Sequence, residues 1–328
     1  MNKALNLKNI TPGKPFYQTW RIADLRDMLK KCDMRYGDRI AFNFRREPHD
    51  QTESKTYHQF IQDIDAFGTA LMKLGLSGSH IAIIGENRYE WIVAYLAAVN
   101  GAGVAIPIDK MLPQNEVELL LKRGRADVLI YSRALGPAVE GISGNNKNLK
   151  AVICMNEKNE DEIAGHGFYS FQKLLEQGRK LIDEGYDEYK NSSINPDKMS
   201  ILLFTSGTSS AAKAVMLSHT NICSNIMGLG GFVFCRPGES VLSVLPLNHT
   251  FENTVGLLFP LYLGVTISIS DGLRYLSKNL TEYRPDLMVG VPLLFDKFKK
   301  RVTDEIRKKG MQGKVSLLML ASNALKHL

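Results

Sequence analysis

Short apolar stretches alternate with amphipathic ones between residues 56 and 155, and this alternation limits the possible folds more than any other feature. Helices are predicted over 90–100 and 115–123, each between two apolar stretches. The predicted strands are 80–84, 104–108, 128–131 and 151–155. Helices that separate short apolar strands favour parallel βαβ units, so the sequence predicts an α/β protein built around a parallel sheet.

The same alternation resumes after residue 198. Strands are predicted there at 201–204, 241–245, 265–269 and 287–291, and helices at 221–232, 255–263, 273–283 and 292–309. The chain is therefore divided into a leader (1–22), a first βα run (about 56–155), a charged connector (about 156–197) and a second βα run that includes a loop after its first strand (about 198–328). Two successive runs predict two sheets.

A hydroxyl-rich turn follows the predicted strand at 201–204. Gly207 leaves backbone N–H groups unobstructed, hydroxyl side chains surround it, and Lys213 supplies a cation, which together suit a polyphosphate. A solvated Ser/Thr loop is the alternative. A Walker A loop is rejected because Ala212 and Ala214 replace its second Gly and its Ser/Thr, and because 214–217 is predicted as a strand rather than a helix.

Composition excludes several classes of protein. The net charge of +7 favours anionic ligands, but the cations are scattered apart from one run in 297–309, and no nucleic-acid motif is present. The four cysteines lack metal-ligand spacing, which favours reduced thiols in a cytoplasmic protein. The longest apolar passage, 255–269, contains Pro260 and Gly264 and is too short to span a bilayer, so any membrane contact would be peripheral.

The run from Thr205 to Lys213 resembles the phosphate-binding signature of the AMP-forming adenylating enzymes, Thr-Ser-Gly-Thr-Thr-Gly-x-Pro-Lys-Gly. Ser209 replaces a Thr, whereas Ser210, Ala212 and Ala214 depart from the pattern. Losing Gly restricts the backbone and losing Pro frees it, so the departures affect the loop's conformation more than its chemistry. The resemblance implies nucleotide binding by Thr205, Ser206, Gly207, Thr208, Ser209, Ser210 and Lys213.

A second string, 245–252, resembles the family's Leu-Pro-x-x-His segment and follows a predicted strand end. The resemblance implies a carboxylate-substrate pocket formed by His249 with Asn248, Thr250 and Phe251, and assigns catalytic roles to Lys213 and His249. The segment 284–298 resembles a wall of the acyl pocket and adds Gly290 and Val291. Glu252 is interpreted as a cap or a surface charge, His219 as structural, and no metal ligand is assigned.

The resemblance extends over 23–328, and 215–219 and 247–252 suggest the long-chain fatty acyl branch. It implies the stacked sheets of the family's N-terminal domain, ATP, Mg²⁺ and coenzyme A as cofactors or co-substrates, and fatty acid activation as the parent activity. The adenine-binding motif and the C-terminal domain have no counterpart here, so a truncated chain that is incomplete for catalysis alone is expected. The alternatives are a non-catalytic nucleotide-binding remnant and an adenylating enzyme for another carboxylic or amino acid.

Overall fold

The computed structural model describes residues 14–145, 148–157, 167–205 and 212–315. The chain divides into two compact units, Met1–Met288 and Val289–Leu328. Two sheets and most of the helices lie in the first unit. The second unit contains one long helix within its described residues. A predicted helix at 316–325 lies outside the described residues.

The elements are numbered in chain order within these described residues. The strands are β1 Ile40–Phe44, β2 Glu53–Thr56, β3 Ser79–Ile84, β4 Gly103–Ile108, β5 Val128–Tyr131, β6 Ala151–Cys154, β7 Phe168–Ser170, β8 Met199–Thr205, β9 Lys213–Ser218, β10 Ser240–Ser243, β11 Thr266–Ile269 and β12 Leu287–Met288. The helices are α1 Leu25–Tyr36, α2 Tyr57–Lys73, α3 Tyr89–Ala97, α4 Gln114–Gly124, α5 Gly136–Asn145, α6 Phe171–Asp183, α7 Glu188–Asn191, α8 His219–Gly230, α9 Phe259–Leu263, α10 Leu276–Tyr283 and α11 Pro292–Lys308.

The larger sheet has the order β7-β6-β5-β3-β4-β8-β9. It combines β3 to β6 of the first βα run with β7 of the connector and with β8 and β9 of the second run, so the two runs do not each form one separate sheet. Its neighbouring strands pair in parallel except for β8 and β9, which are antiparallel. Every residue of β5 is buried, as expected for a parallel strand that is covered on both faces. The prediction of parallel βαβ units is confirmed.

The smaller sheet has the order β12-β10-β11-β1-β2. Its centre is a parallel pairing of β1 with β11, which places Phe42 opposite Ile267. The charged residues 45–54 predict a hairpin loop, but the last two of them, 53 and 54, belong to the edge strand β2. Its polar sequence gives no apolar alternation, and it pairs antiparallel with β1, as polar edge strands commonly do.

One hydrophobic cluster contains residues of both sheets, with Phe42 and Ile267 from the smaller sheet and Ile81 and Ile83 from the larger one. The intervening residues of β3, Ala82 and Ile84, belong to a second cluster that includes α4. Alternate residues of a strand point to opposite faces, so β3 separates the two clusters. The first cluster, which also includes residues of α2 and α3, joins the two sheets.

His219 connects three parts of this core. The backbone N–H of Leu25 at the start of α1 donates to His219 Nδ1 at 3.1 Å, and His219 Nε2 donates to the carbonyl oxygen of Val99 at 3.0 Å. Burial lowers the pKa of the imidazole, which favours this neutral form. The structural interpretation of His219 is confirmed, although Ser218, rather than His219, caps α8.

Several predicted elements have different bounds. The helix predicted at 255–263 begins earlier, as a π-helical segment Glu252–Leu258, and continues as α9. Pro260 has no N–H to donate to the preceding turn, which disfavours a continuous α-helix through this point. The strand predicted at 287–291 is limited to β12, and Gly290 and Pro292 follow it.

We expect Gly178→Ala to lower the free energy of unfolding by about 3 kcal/mol. A Cβ at this position of α6 would lie 1.8 Å from the carbonyl oxygen of Ala66 in α2, so the two helices would have to separate. Gly228→Ala is the matched control, because its Cβ would meet no atom within 4 Å, and it should be neutral or stabilise α8 by up to about 1 kcal/mol. Urea unfolding measures both, and equal stabilities of the two variants would contradict the assigned packing.

Candidate functional site

The antiparallel strands β8 and β9 form a hairpin that carries the predicted phosphate-binding residues. Thr205 at the end of β8 pairs with Lys213 at the start of β9, and both residues are exposed. The predicted binding residues Ser206, Gly207, Thr208, Ser209 and Ser210 lie outside the described residues. The chain therefore holds the two ends of the predicted loop opposite each other, with a hydroxyl on one side and an ammonium group on the other.

The local sequence accounts for this hairpin. The run Ile201–Leu203 is buried in the sheet, and Ile201 pairs with Ala105 of β4. The residues that follow Lys213 form a strand whose middle is exposed, with Met216 at 69%. A Walker A lysine precedes a helix, so the strand at this place agrees with the rejection of a Walker A loop.

The segment predicted to line the substrate pocket follows β10. His249 and Thr250 are exposed and Phe251 is 51% exposed, whereas Asn248 is partly buried. Two backbone hydrogen bonds shape the turn: the N–H of His249 donates to Pro246 O at 3.1 Å, and the N–H of Asn253 donates to His249 O at 2.9 Å. The turn therefore presents the imidazole to solvent at the end of a buried strand.

Asn87 fixes this turn to the larger sheet. Its Nδ2 donates to the carbonyl oxygen of Leu245 at 2.7 Å, and its Oδ1 accepts from the N–H of Leu247 at 3.1 Å. Asn87 lies just after β3, so one amide side chain joins the ends of strands from both sheets. The sequence marks Asn87 only as part of a family-like string, because a contact across about 160 residues leaves no local pattern.

A cavity of about 610 Å³ lies beside this joint. Its walls come from the residues that follow β1, β3, β4, β5, β10 and β11, which is the carboxyl edge where α/β proteins bind ligands. Polar and charged residues that line the cavity include Arg45, Asn87, Arg88, Asp109, Asn248 and Asp271. Asn248 is thus the predicted pocket residue that reaches this cavity.

The charged wall of the cavity is paired internally. Arg45 donates to Asp271 at 2.9 Å and to Glu282 at 2.7 Å, and Arg88 lies 3.3 Å from Glu90. The side chains of Arg45 and Asp271 are 7% and 4% exposed. Because opposite charges face each other here, these pairs hold the strand ends together more than they attract an anion.

A second, much smaller cavity of about 10 Å³ links the two predicted motifs. Ile201 and Leu203 of β8 line one side, and Asn248 and Thr250 of the turn line another. Its volume is close to that of a single water molecule, so it is a packing gap rather than a substrate pocket. The base of the hairpin and the turn before α9 are therefore neighbours in the fold.

Glu252 differs from its prediction as a cap or surface charge, because its side chain is buried with 0% exposure. Ser243 Oγ donates to Glu252 Oε1 at 2.6 Å, while Oε2 has no hydrogen-bond partner among the described residues. Burial raises the pKa of this carboxyl from 4.5 to about 7. Gly256, one turn later, leaves room for the group: a Cβ there would lie 2.5 Å from the carboxyl carbon.

Gly290 and Val291 belong to the second unit, Val289–Leu328. Val291 is the N-cap of α11 and is 38% exposed. A Cβ on Gly290 would lie 2.9 Å from the ring of Phe295 on the same helix, so this glycine has a local packing role. Their part in a substrate pocket stays a prediction.

Neither a cluster of metal ligands nor a membrane-spanning helix is present in the described residues. No group of three or more His, Cys, Asp or Glu side chains within 14–145, 148–157, 167–205 and 212–315 could hold a metal ion. In the same ranges, no helix combines the length and the apolar character needed to cross a membrane. The four cysteines, all described, are buried, and none of them is in a disulfide.

Comparison with known proteins decides the family. The family model of AMP-binding enzymes matches residues 29–327. This chain belongs to the AMP-binding enzyme family. Fatty acyl-CoA synthetase B of Dictyostelium discoideum is 26% identical to this AMP-binding enzyme over 307 residues, which are 90% of this chain and 45% of that protein. A long-chain-fatty-acid–CoA ligase of Xenopus laevis is 27% identical over 288 residues, covering 85% of this chain and 38% of the relative.

Solved structures confirm the fold of this AMP-binding enzyme. A long-chain-fatty-acid–CoA ligase from Archaeoglobus fulgidus has a TM-score of 0.69 at 17% identity, over 84% of this chain and 53% of that one. A coronafacic acid ligase from Pectobacterium brasiliense has a TM-score of 0.72 at 16% identity, over 85% and 52%. The chain therefore has the two-sheet α/β fold of adenylate-forming enzymes and spans less than half the length of the two relatives above.

Glu252 should make the stability of this AMP-binding enzyme depend on pH. The folded state keeps the carboxyl protonated where the unfolded chain is already ionised, so the free energy of unfolding should fall as pH rises from 4.5 to about 7. The loss is about 3 kcal/mol. Glu252→Gln should remove it, as measured by urea unfolding across this interval. The exposed Glu184→Gln is the control, and an unchanged slope in Glu252→Gln would contradict the assignment.

Asn87→Ala should lower the free energy of unfolding by about 2 kcal/mol, because it leaves a backbone donor and a backbone acceptor of the turn without their partner. Asn225→Ala is the matched control: Asn225 makes one hydrogen bond from an exposed position on α8, to Asn221 O, and its loss should cost less than about 0.5 kcal/mol. Thermal and urea unfolding compare the two. A loss no larger than that of the control would mean that Asn87 does not fix the turn.

Proposed function

We propose that this chain is the nucleotide- and acid-binding part of an ATP-dependent fatty acyl-CoA synthetase. In the proposed reaction, a fatty acid carboxylate attacks ATP to give an acyl-adenylate and pyrophosphate, and the thiol of coenzyme A then displaces AMP. The family match over residues 29–327 supports adenylate chemistry. Because the chain spans 38% and 45% of the two relatives, the complete reaction is proposed for a protein that contains this chain.

The observation that carries the proposal is the pairing of Thr205 with Lys213. It brings an exposed hydroxyl and an exposed ammonium group to the two ends of the segment 206–212. Charge-assisted hydrogen bonds from such donors suit the oxygens of a polyphosphate. We infer that Lys213 neutralises the departing pyrophosphate, with further hydroxyls from Ser206, Thr208, Ser209 and Ser210.

The acid is proposed to bind at the turn after β10. Asn248 and Thr250 of this turn line the same small gap as the buried residues of β8, which places the turn beside the base of the phosphate hairpin. His249, which is exposed there, would shape the entrance for the carboxylate together with Phe251. Gly290 and Val291 are retained as proposed pocket residues on their resemblance alone.

Magnesium and coenzyme A are proposed from the family. In nucleotide sites Mg²⁺ usually binds through substrate phosphates with one or two carboxylates, and it neutralises phosphate charge. No residue of this chain is assigned here as a ligand of the magnesium ion. No residue of this chain is assigned to coenzyme A.

A long-chain fatty acid is the proposed substrate class, supported by the names of the relatives from Dictyostelium discoideum and Xenopus laevis. A cytoplasmic location is likewise proposed, supported by four cysteines that form no disulfide, which is typical of a reducing compartment. Partners beyond ATP and the acid are not needed for this proposal.

Nucleotide binding without turnover is the second candidate for the isolated 328-residue chain. The coverage of the relatives favours it, since the chain corresponds to less than half of each. Adenylation requires the nucleotide and the carboxylate to be held together in one orientation. Pyrophosphate exchange with fatty acids and with amino acids, on a protein that contains the chain, separates the proposed substrate class from other adenylating activities.

Lys213→Ala should weaken the binding of ATP with Mg²⁺ by about ten- to a hundredfold, because it removes one charge-assisted contact to the phosphates. Titration calorimetry on the 328-residue chain measures this. Lys198→Ala is the control, since Lys198 is also exposed but precedes the opposite end of β8. Equal affinities of the two variants would remove Lys213 from the site. Absence of ATP binding by the folded wild type would contradict a working cradle in this chain.

A further inference from the structure

Five exposed apolar side chains from two distant segments form a surface that the candidate site does not use. Phe16 and Tyr17 come from the chain before α1, and Phe232, Val233 and Phe234 follow α8. They are called the aromatic patch below. Phe16 is 79% exposed, Phe232 53% and Phe234 56%. Scattered single apolar residues are normal on a protein surface, but three phenylalanines, a tyrosine and a valine together are not.

Hydrogen bonds and ring contacts hold the two segments of the aromatic patch together. The backbone N–H of Phe16 donates to Gly231 O at 2.8 Å, and that of Tyr17 donates to the same oxygen at 3.3 Å. The rings of Phe16 and Phe232 are 5.9 Å apart in an edge-to-face arrangement, and those of Tyr17 and Phe234 are stacked at 5.2 Å. These contacts hold the rings together while most of their surface stays exposed.

The patch lies away from the candidate site. Phe232, Val233 and Phe234 belong to the connection between α8 and β10, so they precede the amino end of β10. The large cavity is lined by residues that follow the carboxyl end of the same strand. A partner on the aromatic patch would therefore leave the cavity and the His249 turn accessible.

The charges around the patch have one predominant sign. The segments 14–22 and 226–238 contain three cations, Lys14, Arg21 and Arg236, and no acidic residue. All three cations are exposed. Arg39, also exposed, donates to Pro237 O at 3.3 Å and adds a cation beside the patch, with the exposed Asp38 next to it in the chain. The nearby Glu239 accepts a hydrogen bond from the backbone N–H of Arg236.

The sequence that leads into the patch continues this bias. Residues 1–13 contain Lys3 and Lys8 and no acidic residue. Aromatic rings with a cationic rim match the boundary between the headgroups and the acyl chains of an anionic bilayer, where rings enter the apolar zone and lysine and arginine meet phosphates. A protein partner would have to supply an acidic, apolar surface of matching shape, and nothing in the structure specifies one.

We propose that the aromatic patch docks this protein peripherally on an anionic lipid surface. The rings insert at the interface, and Lys14, Arg39 and Arg236 contact the lipid phosphates. Binding to the lipid surface needs both the rings and the cations, because a few rings or a few cations alone bind a membrane only weakly. The interaction is independent of the proposed adenylation chemistry, since no residue of the candidate site takes part in it.

The test is co-sedimentation of the 328-residue chain with vesicles of phosphatidylcholine, with and without phosphatidylglycerol. The wild type should bind the vesicles that contain phosphatidylglycerol, and salt should weaken the binding. Phe232→Ser with Phe234→Ser should lower the partition coefficient by about tenfold or more. Leu119→Ser is the matched control, because Leu119 is also 53% exposed but lies on α4, and it should bind like the wild type.

A second double variant tests the contribution of the cations to vesicle binding. Lys14→Glu with Arg236→Glu should lower binding to anionic vesicles by about tenfold and should not change binding to pure phosphatidylcholine. Phe16→Ser, on the other side of the patch, repeats the ring test should the double serine variant unfold, and circular dichroism checks the fold of each variant.

Three results would overturn the proposal: no binding of the wild type to anionic vesicles, unchanged binding by the patch variants, or equal loss in Leu119→Ser. Sedimentation velocity measures whether the wild type forms a dimer through the aromatic patch. A dimer of the wild type that the patch substitutions dissociate would assign the surface to a second copy of the chain and would also overturn lipid docking.

Discussion

Helix α3 is buried on every side, and the arrangement of the first unit depends on that burial. All nine of its residues, Tyr89–Ala97, are covered, and they belong largely to the hydrophobic cluster that both sheets share. An amphipathic helix can cover one sheet and face water, whereas a helix that is apolar all round must be enclosed. The cluster that encloses α3 contains residues of both sheets, and Phe42 and Phe44 of β1 pack against Tyr89 at the start of the helix.

The candidate site is a consequence of joining the two sheets in this way. The residues that follow strands of both sheets line one cavity, and Asn87 connects the turn after β3 to the turn after β10 with both ends of its amide. The turn that presents His249 is thus supported by the neighbouring sheet as well as by its own strand. Glu252 adds a buried contact to Ser243 at the end of that strand. Rigid support of this kind is what a substrate-positioning turn needs.

Much of the secondary structure was predictable from local patterns. Strand β5 has the predicted bounds, 128–131. The Thr-x-x-Gln pattern at 56–59 is typical of a capping box, and the box is present at the start of α2 because these two side chains satisfy two backbone donors locally. The π-helical segment Glu252–Leu258 and the edge strand β2 were not predicted. The π-helical segment precedes Pro260, which cannot donate a backbone hydrogen bond to the preceding turn, and β2 forms by pairing with β1. Neither conformation leaves an apolar periodicity in the sequence.

The sequence by itself determined the α/β class, the family-like strings around Lys213 and His249, and the positively charged composition, because each follows from the residue types and their spacing along the chain. Only the tertiary structure decided that Glu252 is buried, that Asn87 bridges the two sheets, and that Phe16 meets Phe232 on the surface. Burial and long-range contacts depend on which segments fold against each other. Residues separated by about 160 or 200 positions become neighbours through the whole core, and no short pattern encodes that proximity.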